Sequence, residues 1–101
     1  MTDPKDLKEL CRAISELRNP EECSQFLLDL CTPAELAAMA DRWKAAKMLQ
    51  QGLSYREIYE KSGVSTVTVT RVARSLNMGA GGYRLLLERM NPTNQKRTKK
   101  Q

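Results

Sequence analysis

Apolar residues recur along the first half of the chain at the three- and four-residue spacing of an amphipathic helix. The first such set predicts one helix and consists of Leu7, Leu10, Cys11, Ile14 and Leu17. A second helix is predicted after Asn19, because asparagine is a favoured N-cap and Pro20 suits the first helical position. A third should start at the capping box between Thr32 and Glu35 and run to about Gln51.

A helix-turn-helix is predicted between Ser54 and Leu76. Ser54 and Glu57 form a second capping box, so a short fourth helix should extend to about Ser62. Gly63 can adopt the left-handed backbone conformation that a tight turn between helices needs. A unit of this kind can place its second helix in the major groove of DNA.

The fifth helix is predicted to begin after its cap, Ser65, and to end near Asn77. Residues 65–70 also alternate β-branched side chains at the two-residue period of a strand, which is the competing interpretation. We favour the helix because the chain offers no second convincing strand for pairing, and a lone strand would leave backbone groups unsatisfied. Helical spacing also gives the segment a buried face, formed by Val69, Val72, Ala73 and Leu76.

A glycine-rich link over residues 78–82 leads to a sixth predicted helix, from about Tyr83 to Met90. The pattern therefore predicts an all-α fold with a single domain over residues 1–91, since 101 residues leave no room for a second core. Residues 92–101 are polar and basic, and we expect them to form a disordered tail. The apolar content of 41% is low for so small a monomer, which favours a homodimer with a shared core.

Charge is divided unevenly along the chain. Residues 1–41 carry nine acidic and four basic residues, whereas residues 42–101 carry three acidic and thirteen basic ones, so the two parts have net charges of −5 and +10. A basic segment of this strength favours a polyanionic partner such as double-stranded DNA. The simpler alternative is a soluble basic face with a charged tail.

The remaining chemistry of the sequence argues against several classes of protein. Cys11, Cys23 and Cys31 include no CxxC pair and the chain has no histidine, so we expect free thiols, a reducing cytoplasm and no metal site. The first residues lack the apolar core of a signal peptide, and no apolar run reaches membrane-spanning length, so no membrane partner is expected. The sequence has neither a phosphate-binding loop after a strand nor a pair of candidate catalytic carboxylates, so we do not expect an enzyme.

The exposed face of the fifth helix is the candidate DNA-contacting surface. Threonine hydroxyls can bond phosphates or base edges, valine and threonine methyls can pack on thymine, and arginine can bind guanine or a phosphate. The predicted DNA-binding residues, which include two from the start of the fourth helix, are Tyr55, Arg56, Ser65, Thr66, Val67, Thr68, Thr70, Arg71 and Arg74. A non-catalytic adaptor that binds protein or RNA with the same basic face is the alternative.

The segment from Thr32 to about Leu76 resembles the Trp repressor family, through TPAEL, DRWKAAKMLQQG, SYRE, GVSTVTVTR and SL in that order. Within that family it is most similar to the YerC/YecD type of Gram-positive bacteria. The resemblance implies six helices in an intertwined homodimer whose recognition helices enter successive major grooves of a palindromic operator. It also implies a transcriptional regulator, and specifically a repressor.

The same resemblance implies a pocket for a small-molecule effector. Its matching residues, of which the two arginines would sandwich an indole, are Thr32, Arg42, Arg71 and Ser75. Val72, however, stands where the Trp repressor has a glycine that leaves room for the ligand, and Trp43 adds further bulk. The sequence therefore argues against L-tryptophan as a corepressor, and no cofactor is expected. We expect Arg42 to pair with a carboxylate or phosphate and Arg71 to contact DNA.

Overall fold

The computed structural model describes residues 1–91, whose regular elements are all α-helices. They are α1 (Pro4–Ser15), α2 (Pro20–Leu30), α3 (Pro33–Gln50), α4 (Tyr55–Ser62), α5 (Thr66–Met78) and α6 (Gly82–Met90). The all-α prediction is confirmed, and the strand interpretation of residues 65–70 is wrong. The tail predicted to be disordered, residues 92–101, lies outside the described residues. No helix within residues 1–91 is long and apolar enough to cross a membrane.

Local side-chain caps place the helix starts where the sequence predicts them. The side chain of Asn19 accepts a hydrogen bond from the backbone N–H of Glu22 at 2.8 Å, which caps α2. The hydroxyl of Thr32 accepts from the N–H of Glu35 at 3.1 Å, and the Glu35 carboxylate accepts from the N–H of Thr32 at 2.8 Å. This reciprocal pair is the capping box predicted for α3.

The first compact unit, residues 1–37, comprises α1, α2 and the start of α3. α1 and α2 contain no buried residue. Five of their large apolar side chains are exposed, namely Leu7, Leu10, Ile14, Leu28 and Leu30. Cys11, which belongs to the apolar set predicted for α1, is exposed, and Cys23 and Cys31 are half-buried. The amphipathic pattern of α1 is therefore present, with its apolar stripe exposed.

The second compact unit begins at Ala38 and contains most of α3 together with α4, α5 and α6. Its core is a small apolar cluster formed by Ala45, Ala46, Ile58, Val64, Val69, Val72 and Leu87. Half-buried side chains pack around this cluster, among them Trp43 and Tyr83. The core thus joins the helix-turn-helix to α3 and α6. The prediction of one domain over residues 1–91 stays a prediction.

Candidate nucleic-acid interface

The turn between α4 and α5 is held by hydrogen bonds as well as by glycine. Gly63 has φ 78°, the left-handed region, and its N–H donates to the carbonyl of Tyr59 at 2.8 Å. The hydroxyl of Ser62 donates to the carbonyl of Ile58 at 2.6 Å and accepts from the N–H of Val64 at 3.2 Å. The sequence places Ser62 at the end of the fourth helix but does not predict these bonds, because nothing in the pattern shows that its hydroxyl bonds across the turn.

Packing beneath α5 determines which side of this helix faces solvent. Val69 and Val72 are 0% and 1% exposed and lie in the same cluster as Ile58 of α4. Val64, in the turn, is also buried. The buried face predicted for α5 is confirmed, and Val67 on the opposite side is 79% exposed. Val67 is an apolar side chain that solvent surrounds, so another molecule can contact it.

The first turn of α5 uses two of the predicted DNA-binding hydroxyls for its own cap. The Ser65 hydroxyl accepts from the N–H of Thr68 at 3.2 Å and donates its proton to the Thr68 hydroxyl at 3.1 Å. Thr68 is half-buried, whereas Thr66 is exposed. Ser65 therefore cannot donate to a phosphate without giving up a bond within the cap, while Thr68 keeps its own proton.

Thr70, one turn further along, has its donor occupied. Its hydroxyl donates to the backbone carbonyl of Thr66 at 2.8 Å, a bond that threonine commonly makes inside helices. What the exposed side chain still offers is a pair of acceptor lone pairs and a methyl group. These can accept from the amino group of adenine or cytosine, or pack on thymine.

Three arginines lie exposed on the helix-turn-helix, and they differ in what they contact. Arg71 and Arg74 on α5 make no hydrogen bond or ion pair within residues 1–91. Arg56 on α4 pairs with Glu60 at 3.3 Å, and the two side chains are 87% and 59% exposed. An exposed pair of this type contributes about 0.5 kcal/mol or less, so its loss would be a small cost if Arg56 turned to DNA. Tyr55 beside it is also exposed.

The segment that contains the helix-turn-helix has a strongly positive net charge. Residues 42–91 contain nine basic and three acidic residues. One of the acids, Glu57, lies in the capping box of α4, where its carboxylate accepts from the N–H of Ser54 at 2.9 Å. That bond is the main cause of the lowered pKa of Glu57, and the Ser54 hydroxyl lowers the pKa further. Desolvation opposes them by a smaller amount, and attraction to Lys61 is the smallest effect. The acid thus stays ionised at the positive end of α4.

The carboxyl end of α5 is bound by a residue that sequence analysis missed. Arg84, on α6, donates from Nε to the carbonyl of Leu76 at 2.6 Å and from Nη2 to Oδ1 of Asn77 at 3.3 Å. The partners are seven and eight residues apart across the glycine-rich link, so helical periodicity gives no sign of them. Arg84 also lines a polar cleft of about 350 Å³ with Tyr55 and other residues of the second unit.

The residues of the implied effector pocket lie in different surroundings. Ser75 lines a cavity of about 440 Å³ together with Trp43, Tyr83 and residues 79–82. The rings of Trp43 and Tyr83 stack, with centroids 6.5 Å apart and planes inclined by 16°. Two of the other implied residues, Arg42 and Arg71, do not line this cavity; Arg42 is half-buried and Arg71 exposed.

Thr32 and Val72, the other two residues of that hypothesis, serve the fold. The Thr32 hydroxyl caps α3, as described above. Val72 is buried in the core cluster of the second unit. Within residues 1–91 no group of three or more cysteine or acidic side chains is arranged to hold a metal ion.

Comparison with known sequences identifies relatives over almost the whole described region. Residues 5–91 match the family model of the Trp repressor protein. YerC of Bacillus subtilis (strain 168), an uncharacterized protein, is 40% identical over 89 residues, covering 88% of this chain and 86% of YerC. The Trp operon repressor homolog of Chlamydia caviae is 31% identical over 87 residues, covering 85% of this chain and 83% of the homolog.

Solved structures agree with these relatives. A crystal structure of a Staphylococcus aureus protein has a TM-score of 0.83 at 46% identity, covering 88% of this chain and 89% of that one. A TrpR like protein from Eubacterium eligens has a TM-score of 0.81 at 39% identity, covering 87% and 91%. Both the sequence and the arrangement of helices therefore give the same assignment. The chain belongs to the Trp repressor family, whose members are DNA-binding transcriptional regulators and not enzymes.

Proposed function

We propose that this protein is a sequence-specific repressor that binds a palindromic DNA site as a homodimer. One observation carries the proposal: α5 is fixed by a buried face and a capped turn, and its opposite face exposes Val67, Thr70, Arg71 and Arg74 to solvent. A rigid helix with polar and cationic side chains on its free face suits the major groove. We refer to α5 as the recognition helix.

The readout of bases would come from the first half of the recognition helix. We assign base contacts to Thr66, Val67, Thr68 and Thr70, together with Arg56 of α4. Val67 and the threonine methyls suit thymine, and the Thr70 hydroxyl suits an amino group because only its lone pairs are available.

Phosphate contacts would supply most of the affinity. We assign them to Arg71 and Arg74, with Tyr55 at the start of α4. Ser65 could join them only if its hydroxyl gave up the bond to Thr68. Such contacts release counterions, so affinity should fall steeply as salt concentration rises. They position the protein on the duplex and discriminate little between sequences.

The homodimer is supported by the apolar side chains that the single chain leaves in water. α1 and α2 have a stripe of exposed leucine and isoleucine, and α6 adds Leu85, Leu86 and Met90. Burying such side chains is worth about 1.5–3 kcal/mol each, so a second copy of the chain is the natural cover. Two-fold symmetry would then place the two recognition helices about 34 Å apart, one turn of DNA.

L-tryptophan is not proposed as a corepressor. Val72 is 1% exposed and packs in the core cluster. By the family resemblance, this branched side chain stands where the corepressor needs room, and its packing in the core cluster fixes its position. We expect the protein to bind its DNA site without tryptophan.

The proposal is tested by selecting DNA from a random library with the purified protein, followed by footprinting of the selected sequence. We expect a protected palindrome whose half-sites lie about one helical turn apart, bound without tryptophan. Fusion of that site to a reporter promoter should lower transcription. Salt-sensitive binding without any preferred site would instead favour an adaptor or an RNA-binding protein, and would overturn the proposal.

A further inference from the structure

The recognition helix ends without a cation of its own. Its last turn contains no basic residue, although the negative end of the helix dipole lies there. The N–H of Gly79 donates to the carbonyl of Ser75 at 2.9 Å, which satisfies one of the last carbonyls. The next carbonyl, that of Leu76, requires a donor from elsewhere, since the last carbonyls of a helix have no partner within it.

Arg84 supplies that donor from the following helix. Its Nε donates to the Leu76 carbonyl at 2.6 Å, and Nη2 donates to Asn77 Oδ1 at 3.3 Å. The two acceptors belong to adjacent residues, so they use the planar, forked geometry of a guanidinium group. A lysine at this position would keep the charge but could not reproduce the directions of both hydrogen bonds, because it lacks the planar fork of donors.

The backbone between the two helices is poorly suited to fix their relative position. The link from Gly79 to Gly81 contains two glycines, and Gly81 has φ 92°. Leu87 anchors α6 in the core cluster that also holds Val72. The Arg84 bonds therefore tie the free end of α5 to a helix that is independently anchored. We call these two bonds, from Arg84 of α6 to Leu76 and Asn77 of α5, the Arg84 brace.

We propose that Arg84 is a positioning residue for the recognition helix. Through Leu76 and Asn77 it holds the C-terminal end of α5, and with it the angle at which Val67 and Thr70 of the same helix meet the bases. This inference rests on the proposed function, because it assigns Arg84 a role in DNA selectivity. The competing role for an exposed arginine next to this helix is direct contact with a phosphate.

A substitution series separates the two roles. Arg84→Lys keeps the charge and removes the forked pair of bonds, Arg84→Gln removes both, and Lys44→Gln removes one charge from an exposed side chain of α3 as a control. The probes are a duplex selected by the wild-type protein and a random duplex of equal length. Affinity is measured by fluorescence anisotropy over a range of salt concentrations.

We expect Arg84→Lys to weaken binding to the selected duplex about tenfold, the effect of losing one charge-assisted hydrogen bond. Binding to random DNA and the salt slope should stay close to wild type. The opposite result overturns the inference: Arg84→Lys binds like wild type, while Arg84→Gln weakens both duplexes equally and lowers the salt slope by about one.

Hydrogen exchange provides a readout that does not depend on DNA. In Arg84→Lys the hydrogen-bonded backbone amides of Met78 and Gly79 should exchange about five- to tenfold faster than in wild type, whereas Lys44→Gln should leave them unchanged. Unchanged exchange rates in Arg84→Lys would by themselves contradict the inference that Arg84 holds the end of α5. A wild-type protein that selects no duplex would overturn the proposed function, while the exchange result still decides whether Arg84 holds the end of α5.

Discussion

The hydroxyl of Thr70 donates to the backbone carbonyl of Thr66 across one turn of the recognition helix, at 2.8 Å. The bond leaves Thr70 as an acceptor toward any molecule that approaches α5. It also restricts the rotation of an exposed side chain, so the hydroxyl and methyl keep defined directions. An exposed threonine thus becomes a directional contact.

We predict that Thr70→Val relaxes selectivity at one base pair of the operator, because valine keeps the shape and loses the acceptor. The expected loss against the preferred base is about 1–3 kcal/mol. Competition binding with single-base variants of the selected duplex measures it. If the variant instead loses the same affinity for every duplex, including random DNA, Thr70 contacts the DNA backbone and does not read a base.

Gly79→Ala should destabilise the protein by about 1–3 kcal/mol. A Cβ at this position would overlap the carbonyl oxygen of Ser75 and force the end of the recognition helix to shift. Gly82→Ala, at the first residue of α6, is the matched control, since a Cβ there meets no atom within 4 Å. Urea unfolding of both variants measures the difference, and equal stabilities would contradict the steric argument.

The starts of the helices could be predicted because caps act through residues three positions apart. Thr32 with Glu35 and Ser54 with Glu57 make reciprocal bonds whose geometry depends only on the local backbone. Val69 and Val72 were likewise recognisable, since their spacing identifies one face of α5. Local rules of this kind need no knowledge of the rest of the fold.

Contacts that cross a link could not be predicted in the same way. The bond from Arg84 to Leu76 depends on how α6 returns to α5, and no periodic pattern contains that information. Cys11 shows a different limit. A stripe identifies the side of α1 that is apolar, but it does not show that this side is buried, and Cys11 is exposed.

We predict that Ile14→Gln weakens the proposed homodimer at least tenfold, because it places an amide in the exposed apolar stripe of α1. Arg12→Gln, on the polar side of the same helix, should leave the dimer intact. Sedimentation velocity over a range of protein concentrations measures both. If Ile14→Gln associates like wild type, the stripe on α1 does not belong to the dimer interface.

The capping box of α4 should make stability depend on pH below the ordinary pKa of glutamate. Glu57 has a lowered pKa, chiefly because its carboxylate accepts from the N–H of Ser54 and then because of the Ser54 hydroxyl. The folded state therefore stabilises the ionised carboxylate of Glu57 relative to the unfolded chain. This contribution is fully present above the pKa of the unfolded chain and is lost as the pH falls through the lowered pKa of the folded protein. Acid should thus loosen the start of the helix-turn-helix.

Glu57→Gln should remove that contribution and flatten the decline of unfolding free energy between about pH 6 and pH 3. Ser54→Ala should flatten it less, since the backbone N–H that has the largest effect on the Glu57 pKa remains. Glu60→Gln removes the same charge from α4 without touching the box. Urea unfolding at each pH measures all three, and a Glu57→Gln variant that keeps the wild-type pH dependence would show that the box is not its source.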